Sequence, residues 1–150
     1  MPRPKSDRII HEPPLFTEFK PMGIPGRNLE QIRLSLDEFE ALRLADHEGL
    51  SHEEAAEQLE ISRSTFTRLI RKARTKVADF IFLGKILNIG GGNVHFKNNV
   101  IRCLDCKHIF RVEMNTPPIY DCPECHSENL LNAAGGFGHG NCCWEKTEDK

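Results

Sequence analysis

Residues 62–81 read SRSTFTRLIRKARTKVADFI. Apolar residues recur at Phe66, Leu69, Ile70, Ala73, Val77, Phe80 and Ile81, which is the i, i+3, i+4, i+7 spacing of one stripe on a helix. The other face carries Arg63, Thr67, Arg68, Arg71, Lys72, Arg74 and Lys76, and from Ser62 to Lys76 six residues are basic and none is acidic. Ser62 is suited to accept from the orphan amides of the first turn. A helix of about 20 residues extends roughly 30 Å, long enough to lie in a DNA major groove. A basic helix face taken alone is usually only a solvated surface, so the residues before it decide the reading.

Those residues supply two more helices. Ser35-x-x-Glu38 is a capping-box pattern that opens a helix over about Leu36 to Asp46, with Phe39, Leu42 and Ala45 inward and Gly49 suited to a left-handed turn beyond it. Ser51-x-x-Glu54 is a second such pattern. It opens a short helix over about His52 to Leu59, with Ala55, Ala56 and Leu59 inward. Glu60-Ile61 then forms a tight turn into the helix capped by Ser62. Short helix, tight turn and basic helix together make the helix-turn-helix order. The alternative is a three-helix bundle that packs on protein. Charge is segregated along the chain: Leu36 to Glu60 holds nine acidic residues against one basic, Arg43, and the basic stretch follows at once. A net charge of -2 therefore does not exclude nucleic acid, because the local patch governs phosphate contact.

The stretch LSHEEAAEQLEISRSTFTRLIRKARTKV resembles the fourth region of sigma-70-type factors, which contains a helix-turn-helix. Such turns usually carry Gly where Glu60 stands. More closely, MPRPKSDR, FKPMGIP, LSLDEFEALRLAD, ISRSTFTRLIRKARTKVADFI and GKILNIGGG, in that order over about residues 1 to 95, resemble uncharacterised protein family 0251, also called domain of unknown function 134. The resemblance implies a DNA-binding fold and no particular target.

Before the helices, prolines at 2, 4, 13, 14, 21 and 25 and glycines at 23 and 26 break any long helix, so residues 1–33 read as an irregular N-terminal arm. Arg3, Lys5 and Arg8 lie in it, suited to DNA phosphates or a minor groove. The plainer reading is a tail or a segment wrapped on the domain, with Leu15, Phe16 and Phe19 packing down. After the helices, Gly84 and Gly90 to Gly92 interrupt the chain. Ile86, Leu87 and Ile89 between them suit a short strand or a helix end, serving as hinge or as dimer contact.

Cys103-x-x-Cys106 and Cys122-x-x-Cys125 are two knuckles separated by 15 residues, the spacing of a four-thiolate zinc site. CLDCKHIF and YDCPECHSENL resemble zinc ribbons over about residues 98–131, which often have Gly after the second Cys of each knuckle, where this chain has Lys107 and His126. A ribbon has almost no core, and the metal supplies its folding free energy. One structural zinc is expected; iron is an alternative with the same ligands, and disulfides are another. His108 and His126 read as surface residues, since four cysteines fill the site. In the Gly-rich end of the chain, His139, Cys142 and Cys143 suit a second metal or a redox response, against the plainer reading of a mobile tail.

The fold expected is therefore mainly α: a sigma-70 region-four-like helix-turn-helix three-helix domain over 34–96, a small β zinc ribbon over 97–131, and a flexible Gly/Cys tail over 132–150. No apolar run reaches the roughly 20 residues that span a bilayer, and MPRPKSDRII lacks the apolar core of a signal peptide, so a cytosolic protein is expected. The function expected is sequence-specific binding of double-stranded DNA in transcriptional regulation. Arg63, Ser64, Thr67 and Arg68 are expected at base edges, with Arg71, Lys72, Arg74 and Lys76 at phosphates. One alternative is an adaptor that meets RNA polymerase or another protein through the ribbon; another is a metal or redox sensor acting through the tail. A homodimer fits the motif class. No enzyme is expected: no nucleophile–base pair or phosphate loop is visible, and a four-cysteine site is closed.

Overall fold

Two strands far apart in sequence, Gln31–Leu34 and Ile86–Ile89, lie side by side and parallel, with the three α-helices between them. The computed structural model describes residues 8–92, 94–113 and 119–134. Strands β1 (Arg8–Ile10), β2 (Glu18–Phe19) and β3 (Gln31–Leu34) come first, followed by helices α1 (Leu36–Leu42), α2 (His52–Leu59) and α3 (Arg63–Leu83). Strands β4 (Ile86–Ile89), β5 (Val94–Phe96), β6 (Asn98–Cys103), β7 (Ile109–Glu113) and β8 (Leu130–Asn132) complete the order.

This overturns the expectation of a mainly α three-helix domain followed by a ribbon. About a quarter of the described residues are in strands, in three small sheets, beside three helices, so the chain is an α/β mixture. The difference arises within 8–34 and 86–89. Proline and glycine in the first segment prevent long helices but permit strands, and the strands of both segments, two to four residues each, are too short to declare an alternating pattern.

The described residues form two compact units, residues 16–94 with β1, and residues 95–134 with His11–Leu15. In the first, β4 is the central strand of a sheet ordered β2-β4-β3. It pairs antiparallel to β2 (Phe19 with Leu87) and parallel to β3 (Gln31 with Ile86 through Leu34 with Ile89). Parallel neighbours need a long crossover. Here α1, α2 and α3 are that crossover, with α3 packed on α1, α2 and β3.

The helix starts follow the caps. Ser51 and Glu54 form a complete capping box, with Glu54 N–H donating to Ser51 Oγ at 3.2 Å and Ser51 N–H to Glu54 Oε2 at 3.0 Å. Ser35 caps α1, but Glu38 does not return to the Ser35 amide; its carboxylate accepts from the Ser35 hydroxyl and from Lys76 on α3. After Leu42 the helix widens into a π turn over Arg43–His47, closed by Glu48 N–H to Arg43 C=O at 2.8 Å. Leu36, Ala41 and Leu44 are buried, whereas Phe39, Leu42 and Ala45, expected inward, are half-buried. Phe66, Ile70 and Ala73 of α3 are buried, each large side chain contributing about 1.5–3 kcal/mol. The stripe does not continue to the end, and Ile81 and Phe82 are exposed. Among the described residues no helix is long and apolar enough to cross a membrane.

In the second unit β6 is central, flanked antiparallel by β7 and β8. Asn99, almost fully buried, ties it together: its carbonyl accepts from the Ala134 and Val100 amides, and its Nδ2 donates to Asn132. His11–Leu15 packs here too, with Pro13 and Pro14 buried, Asn98 N–H donating to the His11 carbonyl, and Arg111 paired with Glu12 at 2.7 Å.

Candidate metal centre and basic helix

The two Cys-x-x-Cys segments fold into equivalent turns. In the first, Cys103 N–H donates to the His108 carbonyl and Lys107 N–H to the Cys103 carbonyl. In the second, Cys122 N–H donates to the Ser127 carbonyl and His126 N–H to the Cys122 carbonyl. Each turn closes on a left-handed residue, Lys107 at φ 68° and His126 at φ 60°, the two positions where ribbons often carry glycine. Asp105 of the first turn accepts from Ser127 Oγ and Asn129 Nδ2 of the second, and these bonds hold its carboxyl below its usual range. The turns are thus cross-linked beside the cysteines.

The four Sγ atoms of Cys103, Cys106, Cys122 and Cys125 lie within 4.8 Å of one another. Cys103 and Cys125 sulfurs are 3.6 Å apart, as are those of Cys106 and Cys122. A tetrahedral ion with metal–sulfur bonds of about 2.3 Å requires sulfur separations of about 3.8 Å, so the cluster fits a metal ion. All four are free thiols. Cys103 and Cys122 are buried, and Cys106 and Cys125 exposed. The Cys106 amide points at Cys103 Sγ and the Glu124 amide at Cys122 Sγ, at 3.5 and 3.4 Å.

The electrostatics of the thiols also call for a cation. Cys103 is lowered to about 7, chiefly because the Cys106 amide donates to its sulfur, against burial. Cys106 is pushed up to about 12: the His108 amide pulls it down, and burial with the Cys122, Cys125 and Cys103 sulfurs outweighs that amide. Cys125 also rises, the Ser127 amide being outweighed by burial and Cys103. Four sulfurs this close do not all ionise unless a positive ion joins them. His108 stacks on Phe110 at 5.8 Å and His126 faces Asp121 at 3.2 Å, so neither histidine joins the cluster. His139, Cys142 and Cys143 lie outside the described residues.

In the first unit Glu60 ends α2 in the left-handed conformation, φ 57° and ψ 42°, and its N–H donates to the Ala56 and Glu57 carbonyls. Ile61 and Ser62 follow, and Ser62 caps α3 through the Thr65 amide at 3.2 Å. The basic residues then divide into two groups. Arg63, Arg68, Arg71 and Lys72 are exposed and make no ion pair among the described residues. Arg74 instead forks onto Asp46 of the π turn, at 2.7 and 3.1 Å, which holds the Asp46 carboxyl below its usual range. Lys76 donates to Glu38 at 2.7 Å and to the Arg33 carbonyl at 2.8 Å. Ser64 is exposed beside Ser62. Thr67 donates its hydroxyl to the Arg63 carbonyl and meets His52 Nδ1, both at 3.0 Å. His52 and Asp105 did not stand out in the sequence, since each gains its role from a partner brought near only by folding.

Fold and site together define a small α/β protein with a basic helix in one unit and, in the other, a cluster of four cysteines that could hold a metal ion. The chain belongs to the family described as Protein of unknown function DUF134, whose model matches residues 1–97. It is similar to the UPF0251 protein of Chloroherpeton thalassium, 48% identical over 130 residues that cover 87% of this chain and 85% of that one. It is similar also to that of Moorella thermoacetica, 41% identical over 142 residues covering 95% and 93%, and to that of Chlorobaculum tepidum, 40% identical over 144 residues covering 93% and 73%. These alignments are longer than the region the family model matches, so the likeness continues past residue 97. No solved structure matches the chain.

Proposed function

We propose that this protein binds double-stranded DNA sequence-specifically and regulates transcription, with α3 as the recognition helix. The observation that carries the reading is the group Arg63, Arg68, Arg71 and Lys72, four exposed cations on one helix without an internal ion-pair partner among the described residues. A cation with no carboxylate of its own remains available to a phosphate or to the O6 and N7 of guanine. Arg63, Ser64 and Arg68 lie in the first two turns and are assigned to base edges; Arg71 and Lys72 follow and are assigned to phosphates. Arg74 and Lys76 are engaged instead by Asp46, and by Glu38 with the Arg33 carbonyl. Thr67, with its hydroxyl committed, is left with a methyl group suited to thymine.

The four cysteines hold zinc in this reading, as a structural ion. A closed tetrathiolate site without an open position suits folding rather than catalysis, and no enzymatic role is proposed. The knuckles are held also by Asp105, Ser127 and Asn129, whose bonds fix the two turns against each other.

The test is selection from a random duplex pool with the full zinc-loaded chain, followed by salt titration on the enriched sequence. A single enriched motif is expected, with log affinity falling against log salt by about 0.9 for each phosphate contacted. Binding to no duplex at low salt would overturn the reading and leave an adaptor that meets protein.

A further inference from the structure

His52 is the first residue of α2, directly after the Ser51 cap, and its ring faces α3. It meets Phe66 edge-on, with ring centroids 5.3 Å apart and planes at 68°. Its Nδ1 lies 3.0 Å from Thr67 Oγ1, and Thr67 Oγ1 lies 3.0 Å from the Arg63 carbonyl. A carbonyl only accepts, so the single Thr67 hydroxyl proton goes to Arg63. The oxygen can then only accept from His52, and Nδ1 carries the hydrogen. The result is a directed relay: His52 Nδ1–H to Thr67 Oγ1–H to Arg63 C=O. It runs from the capped start of α2 to the first residue of α3.

We infer that His52 is a specificity-determining positioning residue, which fixes the roll of the first turns of α3 so that Arg63 and Arg68 meet base edges at one register, without itself touching DNA. The inference rests on the DNA-binding reading above. Phe66, Ile70 and Ala73 are buried and anchor α3 against the core, but of the three only Phe66 lies in the first turn, where the base-edge residues begin. The relay supplies a second point of attachment one residue along, at Thr67, and reaches back one turn to Arg63. Direct readout needs donors held within a fraction of an ångström and a few tens of degrees, so loss of this point acts on discrimination before affinity. Phosphate contacts from Arg71 and Lys72 tolerate a small roll, because a flexible cation follows a phosphate.

The test has two parts, both on the full zinc-loaded chain. Long-range nitrogen–proton spectra at alkaline pH are expected to show the His52 ring hydrogen on Nδ1; a hydrogen on Nε2 alone overturns the inference. Then His52→Phe, which keeps the ring edge and loses the donor, is compared with His52→Asn, whose Nδ2 can occupy the place of Nδ1. His52→Phe should lower the ratio of affinities for the selected duplex and a scrambled one by about tenfold, the scale of one lost base contact. Binding to the scrambled duplex and the thermal midpoint should stay the same, and His52→Asn should recover the ratio. An unchanged ratio in His52→Phe, or equal loss on both duplexes, overturns the inference. Failure of the parent to bind any duplex overturns the DNA reading itself, and specificity with it, which is a separate result from a parent that discriminates and a variant that does so equally.

Discussion

Lys76, two-thirds of the way along α3, reaches Glu38 in the first turn of α1 with its ammonium 2.7 Å from the carboxylate, and spends a further hydrogen on the Arg33 carbonyl near the end of β3. Three elements of the first unit meet at one side chain. Glu38 is 4% exposed, so its carboxylate depends on protein partners. Lys76→Ala should therefore cost about 1–3 kcal/mol of stability, the penalty of leaving a buried polar group unpaired. Urea unfolding measures it. Cost below the range of ordinary surface substitutions would show that water replaces the ammonium.

The same division of labour gives a prediction on DNA. Arg68→Ala should lower discrimination between the selected and a mismatched duplex by about 1–3 kcal/mol. Lys72→Ala should weaken all duplexes alike and reduce the salt slope by about one contact. Competition binding on both duplexes at several salt concentrations reads both effects. Equal losses on every duplex from the two changes would remove the assignment of Arg68 to a base.

Metal removal should unfold the second unit selectively. Val100, Ile101 and the two buried cysteines are much of its core, too little to hold two knuckles without an ion. A chelator should abolish dispersion of the amide signals of β6, β7 and β8 and preserve those of α1–α3. Rebinding zinc at neutral pH should release protons, since Cys106 at about 12 and Cys125, raised from 9.0, are protonated there without metal. The sign follows: the metal-bound form holds fewer protons than the metal-free form, so affinity rises with pH and falls as pH drops through neutrality, with Cys103, at about 7, the thiol most easily ionised. Calorimetry in buffers of different ionisation enthalpy counts the protons. No release at neutral pH would mean that the thiols are already ionised.

Glu60, Lys107 and His126 are the non-glycine residues at positive φ among the described residues. A left-handed L-residue costs about 1–2 kcal/mol, and glycine returns part of that gain through the entropy of the unfolded chain. Glu60→Gly should thus stabilise the first unit by up to about 1 kcal/mol, seen as a higher urea midpoint with the same slope. A lower midpoint would mean that the Glu60 side chain makes a contribution larger than its backbone strain.

Local chemistry was legible in the sequence wherever donor, acceptor and ligand lie within a few residues. Ser51 and Glu54 announced a capping box because both halves of it are four residues of chain. Ser62 announced the start of α3, and Cys103, Cys106, Cys122 and Cys125 announced a thiol cluster because each knuckle is a local turn. Even the departures at Glu60, Lys107 and His126 pointed to the three strained positions. Arg74 and Lys76, by contrast, read as surface cations like Arg71 and Lys72. Only the fold brings Asp46 and Glu38 to them, across spans of 28 and 38 residues.

The sequence by itself determined the helices, their caps, the basic face of α3 and the four cysteines, since periodicity, hydroxyl caps and paired thiols act over one or two turns of chain. Tertiary structure alone decided that the helices form the crossover of a parallel β3–β4 pair, that β4 is a central strand, that His11–Leu15 packs with the cysteine unit, and that His52 holds Thr67. The physical reason is that strand pairing uses backbone N–H and C=O groups, which are the same in every residue. Strands of two to four residues bury too few side chains to leave a pattern, and their partners are chosen by which distant segment the packed helices bring within hydrogen-bonding reach.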